Sequence, residues 1–127
     1  MSLIEFEVDK VEQLPTKINW KKIKEQERIK YDLPFKILIN GEMYSYDEYF
    51  TILDFLYVIW KWKNNGGCGD MLYNSIDTDE NPLICFKYNV QGWSIESPWE
   101  RFKCEKYILK KELFGALEIL EEKCNVK

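Results

Sequence analysis

Residues 34–63 read PFKILINGEMYSYDEYFTILDFLYVIWKWK, and this stretch decides the fold. Its first part, residues 34–45, predicts a hairpin. Asn40-Gly41 is the favoured type I′ pair, because both turn positions need positive φ. Ser45-Tyr46-Asp47-Glu48 then matches a capping box, with Ser at the N-cap and Glu three residues on. The pattern predicts a helix over about 46–63. Its apolar residues fall in two adjacent stripes: Tyr46, Tyr49, Phe50, Leu53, Leu56, Tyr57 and Trp60, and Ile52, Phe55, Ile59 and Trp62. Asp47, Thr51, Asp54 and Lys61 mark a polar side. A helix apolar around most of its circumference is central to the fold or half-covered by a partner.

Working outward, residues 3–8 (LIEFEV) alternate apolar and acidic with period two, as a half-buried strand does. Leu14-Pro15 breaks that strand. Residues 18–30 carry Ile18, Ile23 and Ile29 among many charges, a weak signal for a solvated helix. After the central helix, Asn64-Asn65-Gly66-Gly67-Cys68-Gly69 predicts a left-handed helix end and a loop. Three strands follow, at about 71–77, 82–88 and 92–97, divided by turns rich in Asp, Asn, Pro and Gly. They form a meander. Over about 109–124, Leu113, Ala116, Leu117, Leu120 and Cys124 recur at helical spacing. With no internal repeat and no linker, residues 1–127 read as a single α+β domain. It has a mainly antiparallel sheet, a central aromatic-rich helix and a C-terminal amphipathic helix.

Composition bounds the chemistry. The chain has 127 residues with seven Phe, eight Tyr and five Trp, ample material for a core. It has no histidine, which excludes His-based triads, imidazole acid–base work and His-ligated zinc. The net charge is −4, and its distribution says more than its total. Residues 33–100 carry four basic and ten acidic side chains. That acidic midsection disfavours nucleic acid or an anionic membrane and favours a basic protein partner; a solubilising surface accounts for the same charge. Residues 1–10 (MSLIEFEVDK) do not resemble a signal peptide, and Tyr49–Trp62 is too short and too charged to span a bilayer, so a cytoplasmic location is expected. Cys68, Cys85, Cys104 and Cys124 form no CxxC pair and read as free thiols, with Cys85 and Cys124 at apolar positions.

No catalytic motif emerges. Gly66-Gly67-Cys68-Gly69 follows a helix and precedes no lysine, unlike a phosphate-binding loop. Asp77-Thr78-Asp79-Glu80-Asn81 is the densest carboxylate group, but positions six and twelve of a calcium loop would be Pro82 and Tyr88. A charged hairpin turn fits it, and a looser Mg²⁺ site is the alternative. A Cys or Ser nucleophile would need Lys, Asp or Glu as base. The chain therefore reads as a binding protein, not an enzyme, with no cofactor and no metal. In Gly92-Trp93-Ser94-Ile95-Glu96-Ser97-Pro98-Trp99, alternation puts Trp93, Ile95 and Ser97 on one face. Pro98 then ends regular pairing and redirects Trp99. Trp99, near Glu96 and Glu100, is either a capping residue of the core or an anchor for a partner.

Several blocks carry a resemblance: Asn40-Gly41-Glu42, Leu53–Trp62, Tyr73–Leu83, GWSIESPW at 92–99, and Lys111-Glu112-Leu113 through Leu117. Over about 40–120 the chain resembles small bacterial proteins of Bacillus type, which are in turn similar to immunity proteins of polymorphic or contact-dependent toxin systems. The resemblance implies a small, acidic, cytosolic protein that neutralises a toxin by stoichiometric binding. Many such toxins are nucleases with basic sites, which an acidic face complements. On that reading the partner-binding candidates are Asp70, Asp77, Asp79, Glu80, Glu96 and Glu100, with Tyr73 and Trp99 as aromatic anchors. The alternatives are a homodimeric interaction module using the wide apolar helix 46–63, and a small metal-dependent hydrolase using the 77–80 carboxylates.

Overall fold

A computed structural model describes residues 3–76 and 78–124. Two antiparallel three-stranded sheets carry the chain, in the strand orders β1-β2-β3 and β4-β5-β6. The first sheet comprises β1 (Ile4–Val8), β2 (Asp32–Ile39) and β3 (Glu42–Thr51), and the second β4 (Met71–Tyr73), β5 (Ile84–Asn89) and β6 (Gly92–Glu96). Between them in sequence runs α2 (Ile52–Asn64). A single-turn α1 (Glu25–Arg28) precedes β2, and α3 (Lys110–Lys123) closes the chain. The fold is α+β, with the strands shared between two sheets.

Period-two alternation produces the first sheet. Ile4, Phe6 and Val8 in β1 and Leu33, Phe35, Ile37 and Ile39 in β2 are all buried on one face. The β2–β3 turn is the expected one, with Asn40 at φ 51° and Gly41 at φ 79°.

Beyond the turn, one expectation fails. Ser45–Glu48 does not cap a helix; β3 continues to Thr51, pairing Lys36 with Tyr46, Phe35 with Asp47, Leu33 with Phe50 and Asp32 with Thr51. A cap is worth about 1 kcal/mol. Continuing the strand instead gains a ladder of backbone hydrogen bonds and buries Phe50 against Phe35, ring centroids 4.3 Å apart. Two register shifts let β3 make this switch. Near the second, the Tyr49 N–H donates to Asp47 Oδ1 at 3.0 Å.

Helix α2 therefore starts at Ile52, and it is the centre of the molecule. Ile52, Leu53, Phe55, Leu56, Ile59 and Trp62 are buried and face the core, while Tyr57, Val58 and Trp60 are half-buried. Phe55 packs on Phe6, Phe35 and Phe50 of the first sheet and on Tyr73 of the second. Trp62 meets Phe86 and Trp93 of the second sheet and Phe114 of α3. Phe6 and Phe86 touch directly across the two sheets, centroids 6.3 Å apart. The core is one cluster.

Within 18–30, where a solvated helix is weakly signalled, only Glu25–Arg28 is helical. Ile18, Ile23 and Ile29 are spaced by five and six residues, which does not make a helical stripe. Helix α3 matches its expected span and buries Leu113, Ala116, Leu117 and Leu120. Cys85 and Cys124 are buried free thiols and Cys68 is exposed.

The segment after β6 is irregular but tied to both sheets. The Arg101 N–H donates to the Tyr44 carbonyl of β3, and Ile108 exchanges two backbone hydrogen bonds with Trp93 of β6. Gly92 makes the second contact possible: at φ 133°, a Cβ there would lie 2.5 Å from the Ile108 carbonyl oxygen. Among the described residues no helix is long and apolar enough to cross a membrane.

Candidate partner-binding face

The β4–β5 loop and the turn after β6 meet beside the end of β3. Asn81 shapes the loop: its Oδ1 accepts the Ser75 N–H, and its Nδ2 donates to the carbonyls of Ser75 and Thr78, each at 2.9 Å. The Asn81–Pro82 bond is cis. In the turn, the Glu100 N–H donates to the Ser97 carbonyl at 3.2 Å and the Trp99 N–H to Ser97 Oγ at 3.2 Å. Pro98 occupies the second position, where its fixed φ suits a tight turn. As the alternation implied, Trp93, Ile95 and Ser97 are buried, and Trp99 is turned outward with 37% of its surface exposed. Its indole N–H donates to the Glu80 carboxylate, joining loop to turn.

A cleft of about 280 Å³ lies at this junction, lined by Asp32, Asp47, Tyr49, Ser75, Thr78, Leu83 and Trp99. That lining holds two carboxylates and, among the described residues, no lysine or arginine. Tyr46 borders an adjoining groove that also reaches Trp99. Tyr49 is 68% exposed and Tyr46 41%. Large aromatic rings left open beside carboxylates give a surface with both contact area and negative potential.

The residues singled out from sequence do not all share this place. Glu80 and Trp99 sit at its centre, and Asp79 is exposed in the same loop. Glu100 is half-buried next to Trp99, where its carboxylate accepts the Tyr44 hydroxyl at 3.0 Å. Asp70 and Glu96 lie elsewhere on the second sheet. Asp70 accepts the Tyr88 N–H at 2.7 Å, and Glu96 pairs with Lys87 at 2.9 Å, a hydrogen bond that favours the lysine's charged form and raises its pKa. Asp77 lies outside the described residues.

Tyr73 is a correction. It is fully buried, so it cannot anchor a partner. Its hydroxyl instead bonds Thr51 Oγ1 at 2.5 Å and donates to Asp54 Oδ2 at 3.3 Å. Asp54 in turn pairs with Arg28 Nε at 3.0 Å, and the Arg28 guanidinium lies 3.9 Å over the Tyr57 ring. This chain of contacts fastens the 10–31 segment to α2. Burial pushes the Tyr73 pKa well above the ordinary phenol range; the Thr51 bond works against this and the Asp54 carboxylate adds to it. Tyr44 is raised likewise, by burial first and then by its bond to Glu100. Burial also pushes the Cys124 thiol up to about 12. Among the described residues no three Cys, Asp or Glu side chains are placed to share a metal ion.

Sequence reasoning did not single out Tyr46, Tyr49, Asp47 and Asp32 as members of this face; it placed Tyr46 and Tyr49 in a helix stripe and Asp47 on that helix's polar side. Tyr, Phe and Thr over 46–51 favour a strand, and that was the available signal.

Residues 4–127 match the family described as Domain of unknown function (DUF7878). The chain belongs to the DUF7878 family. The match takes in both sheets and all three helices, so the Trp99 face of this DUF7878 chain lies wholly within the family's span. No curated protein and no solved structure matches the chain.

Proposed function

We propose that this chain is an immunity-type inhibitor, which binds a basic, nuclease-like toxin domain through the Trp99 face and covers its active cleft. The observation that carries the reading is one juxtaposition. Exposed Trp99 and Tyr49 line a cleft that holds Asp32 and Asp47, Tyr46 borders the adjoining groove, and Glu80 is bonded to the Trp99 indole. Aromatic rings ringed by charge are typical interface hot spots. The negative rim steers a positive partner and sets orientation. Occlusion needs no chemistry, only an interface of about 800 Å² on each partner. The resemblance of the GWSIESPW and neighbouring blocks to small Bacillus-type proteins, which are in turn similar to immunity proteins, supports the same reading.

The test is to purify the tagged full chain from its native cells at low and at high salt. The expected result is one stoichiometric partner with a basic domain that is toxic when expressed alone and harmless with this chain. Trp99→Ala should weaken that complex by about 10-fold or more. Asp79→Lys with Glu80→Lys should slow association, most at low salt. A captured partner that is harmless by itself, or protection untouched by all three substitutions, would overturn the proposal.

A further inference from the structure

The densest basic run in the chain lies far from the Trp99 face in sequence. Lys17-Ile18-Asn19-Trp20-Lys21-Lys22-Ile23-Lys24 carries four lysines and no acid, and the function proposed above makes no use of it. The run is folded around Asn19. The Lys21 N–H donates to Asn19 Oδ1 at 3.0 Å, and the Lys22 and Ile23 N–H groups donate to the Asn19 carbonyl at 3.1 and 2.9 Å. Lys17, Lys21, Lys22 and Lys24 are all exposed on this turn.

Against the loop stands Trp60 of α2. Residues 16–21 and Trp60 line a cleft of about 570 Å³, in the usual small-molecule range of roughly 300–1,000 Å³. Trp20 and Trp60 each pack on Tyr57, centroids 5.9 Å apart in both pairs. Arg28 and Lys61 lie over the Tyr57 ring, at 3.9 and 5.5 Å. The cleft thus has an indole wall, two lysines at its edge and no carboxylate in its described lining. The buried Trp20 indole N–H has no acceptor among the described residues. A smaller concavity on the other side of the same loop adds Lys22, along with Glu27.

We infer that this cleft binds a base–phosphate unit, with the planar ring stacked on Trp60 and the phosphate held by Lys17 and Lys21. Stacking of a base on an aromatic side chain is sequence-tolerant and contributes substantially to affinity. Lysine ammonium groups meet a phosphate as point charges on flexible stems. A free mononucleotide and an unpaired base in a strand present the same chemistry. The acidic midsection repels a long polyanion, so the free nucleotide is the better fit.

The experiment titrates the full chain with adenosine monophosphate, adenosine, inorganic phosphate and single-stranded oligothymidylates of increasing length, by calorimetry and by NMR of the tryptophan indole N–H signals. Adenosine monophosphate should bind at one saturable site and shift the Trp20 and Trp60 signals. Adenosine or phosphate alone should bind about 10-fold more weakly or worse. Lys17→Glu with Lys21→Glu, both exposed, should cost about 10-fold in affinity with the melting temperature unchanged. Trp60→Phe should retain binding that Trp60→Leu loses. Affinity that rises with strand length assigns the strand as source, and equal affinity assigns the free nucleotide. No saturation into the millimolar range, phosphate binding as tightly as the nucleotide, or indifference to the lysine reversals would overturn the inference.

Discussion

Tyr44 leaves the first sheet to meet the second, and Tyr73 leaves the second to meet the first. Both are fully buried, yet their surroundings differ. Tyr73 is enclosed by Phe50 and Phe55, and its hydroxyl ends in Thr51, Asp54 and, one step on, Arg28. Tyr44 reaches the Ile95 carbonyl and the Glu100 carboxylate, one residue from the exposed Trp99. The same side chain thus does two jobs. Around Tyr73 a polar network inside the core holds elements together; around Tyr44 a similar bond positions a surface turn. The difference teaches where loss of a hydroxyl should be felt as stability and where as recognition.

The largest effect should come from removing the hub of the Tyr73 network. Asp54→Ala leaves Arg28 without its carboxylate and the Tyr73 hydroxyl short of a partner, and should cost about 3 kcal/mol in urea unfolding. A loss under about 1 kcal/mol would mean that water replaces the pair at little cost.

Alkaline titration tests both tyrosines at once. Each is held neutral in the fold, with its pKa raised by burial above the unfolded value. The stabilisation is complete below about pH 10 and is lost as pH rises beyond it, because the unfolded phenols ionise first. Each tyrosine should add about 1.4 kcal/mol of lost stability per pH unit above that point. Tyr44→Phe and Tyr73→Phe should each flatten the slope of stability against pH.

At neutral pH the single hydroxyl deletions are smaller and should separate the two sites. Tyr73→Phe should cost about 1–2 kcal/mol and leave partner binding alone. Tyr44→Phe should cost about 1 kcal/mol and also weaken the partner, since Glu100 loses its anchor beside Trp99. If the two variants lowered binding equally, the assignment of different roles would fail. Trp99→Ala should cost about 1–2 kcal/mol by thermal unfolding, because only 37% of the residue is exposed and its indole N–H holds Glu80, so its effect on the partner must be read at a temperature where the variant is folded.

What the sequence disclosed follows the range of the interactions. Local patterns were readable: the Asn40-Gly41 turn, the alternation of Ile4, Phe6 and Val8, the α3 stripe, and Pro98 turning Trp99 out of β6. The capping box at Ser45–Glu48 was equally local, but it lost to pairing with residues 32–36, which a local motif does not register. Helix α3 makes the converse point. It begins at Leu109, which has no polar side chain, and there Glu112 supplies the carboxylate that accepts the Leu109 N–H at 3.2 Å. The Arg28–Asp54–Tyr73 network was hidden because its members come from α1, α2 and β4. Tyr73 looked like a surface aromatic from its neighbours, and only the closure of the second sheet over α2 buries it. Half of the candidate face was legible, in Glu80 and Trp99, because both belong to turns. The other half, Tyr46, Tyr49 and Asp47, was assigned to the wrong element.

The stretch that follows β6 has a consequence for how another protein can engage this one. It gives an N–H to Tyr44 on the outer strand of one sheet and then takes both backbone groups of Trp93 on the outer strand of the other. An open sheet edge is a template on which a foreign strand can zip, and from which fibres can grow. At Tyr44 and at Trp93 the template is already in use by the chain itself. A binding partner arriving at either of these positions meets the chain's own backbone in place of an open pairing site, so recognition there rests on the shapes and charges of side chains, which point substitutions can retune without recutting either sheet.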